Sequence, residues 1–143
     1  MSTLYKTTTA TLNNAIIDAC FDAGVTLPLL GMNDDADGAD IANGFLLLDT
    51  KFRRTNQVTI NGTVSRKVRA FGTFTVYICT PINSGTKQTL EIADVLHSAM
   101  SSQRFTAVFC YPGYIDSGHQ IAYSKGNYWC VPFLVNFYIE EYI

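Results

Sequence analysis

The sequence predicts a single α+β domain over residues 1–143, built as a mostly antiparallel mixed sheet of four to five strands with two helices on one face and a projecting β-hairpin. Three observations predict it. Apolar residues recur at three- and four-residue spacing in two separate segments, period-two alternation runs through two long segments, and Asn61-Gly62 stands between two β-prone stretches.

The first helical stripe covers residues 8–23. Leu12, Ala15, Ile16, Ala19, Cys20 and Ala23 fall on one side, with Asn13, Asn14, Asp18 and Asp22 largely on the other. Gly24 can take the left-handed conformation that ends a helix, and Pro28 follows. Residues 25–44 carry Pro28, Gly31, Gly38 and Gly44 with Asp34, Asp35, Asp37 and Asp40 and keep neither period, which predicts an exposed acidic loop. Its spacing fails the calcium-loop pattern and no glutamate closes it.

Residues 45–52 are rich in large apolar side chains and predict a strand. Gln57-Val58-Thr59-Ile60 and Thr63-Val64-Ser65 flank Asn61-Gly62, the signature of a two-residue hairpin turn. Residues 68–80 alternate, with Phe74, Val76 and Ile78 on one face and Thr73, Thr75, Tyr77 and Cys79 on the other, until Pro81 ends the strand. Ser84-Gly85-Thr86 supplies a turn and an N-cap for a second helix to about residue 101, with its stripe at Thr89, Ile92, Ala93, Leu96, Ala99, Met100 and Gln103. Residues 106–111 and 120–123 predict two further strands, separated by Pro112-Gly113, and residues 124–127 turn the chain back. Residues 128–143 alternate with both faces largely apolar, so the last strand is expected to be covered on both sides. Pro132 cannot donate to a ladder and predicts an edge or a bulge there.

At 143 residues the chain can bury roughly two-thirds of its unfolded surface. Only 15% of its residues are charged and 13% are aromatic, so some apolar surface is expected to meet other subunits. A net charge of −2 argues against the broad cationic footprint of sequence-independent nucleic-acid binding, while leaving room for a local patch. No apolar run approaches the roughly twenty residues that cross a bilayer, and Met1-Ser2-Thr3-Leu4-Tyr5-Lys6 lacks the apolar segment of a signal peptide, so a soluble cytosolic chain is expected.

Cys20, Cys79, Cys110 and Cys130 are scattered singly through apolar segments and are read as buried free thiols acting as small hydrophobes. His97 is read as a helix-rim residue and His119 as exposed, neither with a second metal-type ligand at a recognised spacing. No nucleophile elbow, phosphate loop or dinucleotide fingerprint is present, and Glu91, Asp94, Asp116 and Glu140 come from separate segments with nothing to pair them. No catalytic, cofactor-binding or metal-binding residue is therefore expected.

The most uneven feature is charge. Six of the ten basic residues, Lys51, Arg53, Arg54, Arg66, Lys67 and Arg69, fall between positions 51 and 69, on the hairpin arm and its roots. They fit an intersubunit or partner-facing contact that fixes register by complementary charge, or a contact with DNA in a pore. They equally fit a solvated pair of strands whose cations blunt exposed edges.

Several stretches together resemble the tail terminator family of long-tailed bacteriophages, the lambda-type ring proteins. They are the amphipathic helix ending near Gly24, Gly44-Phe45-Leu46-Leu47-Leu48, and the long strand from Arg69 to Ile78. Thr80-Pro81, the helix Leu90-Glu91-Ile92-Ala93-Asp94-Val95-Leu96 and the closing strand from Trp129 to Val135 complete the pattern. The resemblance is one of order and pattern over nearly the whole chain, and the loop between Gly24 and Gly44 departs from it.

The resemblance implies a non-enzymatic virion protein of the tail and neck, present in the host cytoplasm during assembly. It implies a homo-hexameric ring that binds the major tail tube protein, stops tube polymerisation and offers a surface to head-tail connector proteins. DNA would pass through the ring lumen without sequence-specific reading. Another neck component, such as a head-tail connector or tail-completion subunit, is the nearest alternative. A small metal- or ligand-binding domain is the alternative from a different class.

Overall fold

Helix α1 runs Leu4–Ala23 and buries Leu4, Thr8, Leu12, Ile16 and Cys20, one side chain per turn. It starts one turn before the expected residue 8, because Leu4 and Thr8 extend the stripe through a stretch whose threonines hide the period. Its end is a Schellman motif: Gly24 has φ +74°, Val25 N–H donates to Cys20 O at 2.9 Å and Gly24 N–H donates to Phe21 O at 3.2 Å. Helix α2, Lys87–Met100, buries Thr89, Ile92, Ala93, Leu96 and Met100. Thr86 stands at its N-cap without making a side-chain cap bond. Gln103 and Ala23, both assigned to helical stripes from sequence, are exposed.

The computed structural model describes residues 4–31, 42–57, 67–123 and 126–142. The acidic stretch Asp34, Asp35, Asp37 and Asp40, the Asn61-Gly62 turn and Arg66 lie outside them, as does the projection of the hairpin tip.

The strands are β1 (Leu29–Gly31), β2 (Phe45–Gln57), β3 (Lys67–Pro81), β4 (Arg104–Phe105), β5 (Val108–Cys110), β6 (Tyr114–Ile115), β7 (His119–Tyr123) and β8 (Gly126–Tyr142). They form one curled, mostly antiparallel sheet in the order β1-β2-β3-β8-β5-β4, with β6 and β7 also paired to β8. The strands outnumber the four to five expected. Residues 25–44 are not wholly loop, because β1 pairs in parallel with β2. The strand expected over residues 106–111 is present as the shorter β5, and it forms a tight pair with β4 that turns at Thr106 with φ 55°.

β8 organises the sheet. Along one side it pairs with β3 from Lys67↔Tyr142 to Pro81↔Tyr128. Along the other it meets β7, β6 and β5 in turn, so three short strands share one long edge. Pro132 therefore lies in a central strand, neither at an edge nor at a bulge in its pairing with β3. Its carbonyl accepts from Asp116 N–H at 3.0 Å, which turns its missing donor toward the gap where the chain leaves β6 for β7. In an antiparallel pair N–H and C=O of one residue point the same way, so Tyr77↔Pro132 is a non-hydrogen-bonded pair and β3 loses no bond.

Both helices pack on one face of the sheet. There Leu46, Phe74, Val76, Ile78, Phe133, Val135 and Phe137 join Leu12, Ile16, Ile92 and Leu96 in the main core. Gly72 makes room within it. A Cβ there would come within 2.5 Å of Lys51 O and 2.6 Å of Phe137 Cζ, and the Phe137 ring instead crosses this glycine to meet Phe52 edge-on, ring centroids 5.9 Å apart. Tyr5 of α1 stacks edge-on against the same Phe52 at 4.6 Å. On the opposite face a smaller cluster forms at one end of the sheet from Leu30, Phe45, Cys79, Tyr128 and Cys130.

Cys79 and Cys130 form a disulfide, correcting the expectation of four free thiols. The ladder explains it. Counting two residues from Tyr77↔Pro132 makes Cys79↔Cys130 another non-hydrogen-bonded pair, the closer of the two antiparallel pair types, and the Cα atoms are 4.1 Å apart. Cys20 and Cys110 are the buried free thiols expected, and burial raises the Cys20 thiol and pushes Cys110 up to about 11.

Candidate functional site

The face of the sheet away from the helices carries a row of side chains that runs straight across five strands. The register places Arg54 (β2) opposite Phe71 (β3), Phe71 opposite Tyr138 (β8), Tyr138 opposite Phe109 (β5) and Phe109 opposite Arg104 (β4). Residues paired across a sheet share a face, so the five form one belt of three rings with an arginine at each end.

The side chains use this alignment. The Arg54 guanidinium lies 5.1 Å from the centroid of the Phe71 ring, and that of Arg104 lies 4.6 Å from Phe109. Phe109 and Tyr138 stack nearly parallel, 6° apart at 4.8 Å, and Arg69 from the adjacent pair covers Tyr138 at 4.8 Å. Tyr111 leans on the same tyrosine at 5.8 Å and is 46% exposed. Cation–π contacts of this kind contribute about 0.5–1 kcal/mol each at exposed sites, and they hold long arginines in one orientation.

A β-bulge sets the belt. The β2–β3 register shifts between Phe52 and Arg54, leaving Arg53 as the extra residue. Without that insertion Arg54 would point toward the helices. With it, Arg54 faces Phe71 and both Arg53 and Arg54 are exposed.

The structure separates the cations that the sequence grouped together. Lys51, Arg53 and Arg54 are exposed on β2. Lys67 and Arg69 converge instead on Glu140: Lys67 Nζ lies 2.9 Å from Oε2, Arg69 Nε donates to Oε1 at 2.7 Å, and Arg69 Nη2 pairs with that same oxygen. The bonds from Lys67 and then Arg69 hold the Glu140 carboxyl below the usual carboxylate range. The row behind the belt is polar, with Thr73 Oγ1 donating to Asn136 Oδ1 at 2.8 Å. Among the described residues Arg54 and Arg104 form no ion pair, and Arg104 Nε donates to Thr106 O at 3.1 Å.

Sequence reading found Arg54 and Arg69 but missed Phe71, Tyr138, Phe109 and Arg104. Arg104 is distant in sequence from the basic cluster, and only the strand register aligns the four.

The helix layer has the opposite character. Asp18 and Asp22 on α1 and Glu91 and Asp94 on α2 are exposed, and a shallow groove between the helices is lined by Asp22, Asp94, Val95 and Ser98. Phe21 stands between the α1 aspartates at 84% exposure, with Ile17 one turn before it at 46%.

A hollow of about 240 Å³ lies where residues 23–27 pass α2, and Glu91 is the charged group lining it. His97 and His119 are both exposed. Among the described residues no three His, Cys, Asp or Glu side chains gather as a metal site would require, and no helix is long and apolar enough to cross a membrane.

No family model matches the sequence, and no curated protein matches it either. The fold is similar to that of a solved structure known by a sequence designation alone, with a TM-score of 0.53 and 15% identity over 88% of this chain and 94% of that one. At that identity the likeness concerns the fold.

Proposed function

We propose that this protein is a structural assembly subunit of the tail terminator type: a hexameric ring that caps a phage tail tube, stops its polymerisation and presents a surface for head attachment. The observation that carries the reading is the belt from Arg54 to Arg104, a preordered cationic and aromatic surface on an open sheet face. Arginine and aromatic side chains are the groups enriched where protein interfaces concentrate their binding energy. The helix layer of the same chain exposes carboxylates and a nearly bare phenylalanine, the complementary kind of surface. The ring itself and its tube, connector and DNA contacts come from the family resemblance in the order of elements.

Lys51, Arg53 and Arg54 are the cations best placed to meet a partner. Lys67 and Arg69 serve it less directly, because Glu140 already engages both. The test is tube capping. Tail-tube protein from the same genome is polymerised with and without this chain, and tube lengths are read by electron microscopy. Capping predicts short tubes closed at one end by a six-membered ring, and a triple Lys51→Glu/Arg53→Glu/Arg54→Glu variant that stays folded but leaves tubes long. A twelve-membered ring that binds portal protein but not tube would assign the chain to another part of the neck. Tubes of unchanged length with the wild-type chain would refute capping.

A further inference from the structure

We propose that the belt is the docking surface for the helix layer of a second copy of this chain, with Asp18 and Asp22 of one protomer meeting the arginine at one end of the belt of the next, Glu91 and Asp94 facing the arginine at the other end, and Phe21 seated beside the rings. Charge complementarity within one polypeptide carries this inference. Arg54 and Arg104 stand exposed at the two ends of the belt, and four exposed carboxylates mark the helices on the other side of the sheet. Asp18 and Asp22 are one helical turn apart, and Phe21 lies on the neighbouring row of α1 with Ile17, beside Asp18, so this part of α1 presents two acids next to two exposed apolar side chains. Arg54 and Arg104 stand four strand spacings apart, roughly 19 Å, and Asp18 and Asp22 about 6 Å apart, so this part of α1 suits one end of the belt and the carboxylates of α2 suit the other.

The preorganisation favours a carboxylate partner. A guanidinium held against a ring keeps N–H groups for a carboxylate, in Arg104 those of its two Nη atoms because Nε already donates to Thr106 O, and an arginine already ordered loses less freedom on binding. Single-stranded nucleic acid is the competing class. It needs open ring faces on which bases can stack, and here guanidiniums cover Phe71, Tyr138 and Phe109, while the last two also cover each other.

The two surfaces lie on opposite sides of the sheet and differ from one another. A contact between unlike patches is head-to-tail, so it propagates until rotation closes it into a ring. This inference rests on the assembly reading above and adds the two faces that meet.

The test is complementary charge reversal read by native mass spectrometry and analytical ultracentrifugation. Arg54→Glu/Arg104→Glu spoils the belt, and Asp18→Arg/Asp22→Arg spoils the acidic part of α1. Each alone is expected to weaken self-association about 100-fold, with circular dichroism unchanged because all four side chains are exposed, and with melting lowered by no more than several degrees in the belt variant, which loses two cation–π contacts. A mixture of the two variants makes both contacts complementary again, aspartates on the arginine belt and arginines on the glutamate belt, and is expected to restore assembly with the two variants alternating. Phe21→Ser, at a site 84% exposed and so without folding cost, is expected to weaken association as well.

Variants that assemble to the wild-type size would overturn the docking while leaving the capping reading in place. Loss of assembly in a chain that caps no tube would do the reverse. A wild-type chain that remains monomeric at every concentration would sink the self-contact. So would binding of a fluorescent single-stranded oligonucleotide that the belt variant alone abolishes, with wild-type assembly absent.

Discussion

Reducing the Cys79–Cys130 disulfide is expected to lower stability by an amount that follows from the chain it closes. The bond joins residues separated by 51 positions, and the loop-closure entropy removed from the unfolded chain corresponds to about 4 kcal/mol at 25 °C. A chain of 143 residues unfolds with an entropy of about 0.3 kcal/mol/K, so the melting temperature should fall by about 13 °C. Little offsets this in the native state. Both cysteines are buried, at 1% and 0% exposure, and the thiols left behind occupy the same space within the cluster of Leu30, Phe45 and Tyr128. The assay compares thermal unfolding of protein refolded in air with protein refolded under a phosphine reductant. Thiol titration before reduction gives an independent check: two thiols should react after denaturation, and almost none in the native protein at pH 8, where Cys110 is pushed up to about 11 and Cys20 is likewise raised by burial. Four reactive thiols in the air-refolded, denatured protein, or equal melting temperatures for the two forms, would refute the reasoning.

Glu140 should confer acid sensitivity. Its carboxyl is held below its ordinary value of 4.5 by Lys67 and Arg69, so its contribution to stability is present above that value and is lost as pH falls through the lower folded value. Urea midpoints followed downward from pH 5 should drop more steeply for wild type than for Glu140→Gln, and parallel profiles would contradict the assignment. Gly72→Val should destabilise by about 1–3 kcal/mol in urea unfolding, since the added side chain meets Lys51 O and the Phe137 ring; an unchanged midpoint would show that the sheet can open there without cost. Ile92→Asp buries an unpaired carboxylate at a position 4% exposed and should prevent folding, as read by circular dichroism. A native spectrum would show the α2 stripe to be misassigned.

How far the sequence discloses this molecule depends on the range of the forces involved. Both helices are legible because Leu12, Ile16 and Cys20, or Ile92, Leu96 and Met100, repeat locally at the helical period. The long strands β3 and β8 are legible for the same reason at period two. Leu29–Gly31, Arg104–Phe105 and Tyr114–Ile115 are not, since two or three residues cannot establish a period and each is extended only because a neighbour supplies the ladder. Register is the larger gap. The pairing of Cys79 with Cys130 and the alignment of Arg54, Phe71, Tyr138, Phe109 and Arg104 depend on which residues stand opposite, information shared between distant segments. The basic cluster was visible at once, yet Lys67 and Arg69 could not be told apart from Arg54 until Glu140 was placed beside them.

Pro132 also safeguards alignment during folding. If β8 docked one position out of step with β3, the residue without an N–H would turn inward and leave a carbonyl of β3 unanswered in the middle of the sheet. The same slip would expel Phe133, Val135 and Phe137 from beneath the helices and drive Leu134, Asn136 and Tyr138 into their place. A backbone penalty and a side-chain penalty thus fall on the same error. The imino acid that looked misplaced at the centre of a ladder serves there as a proofreader of its frame.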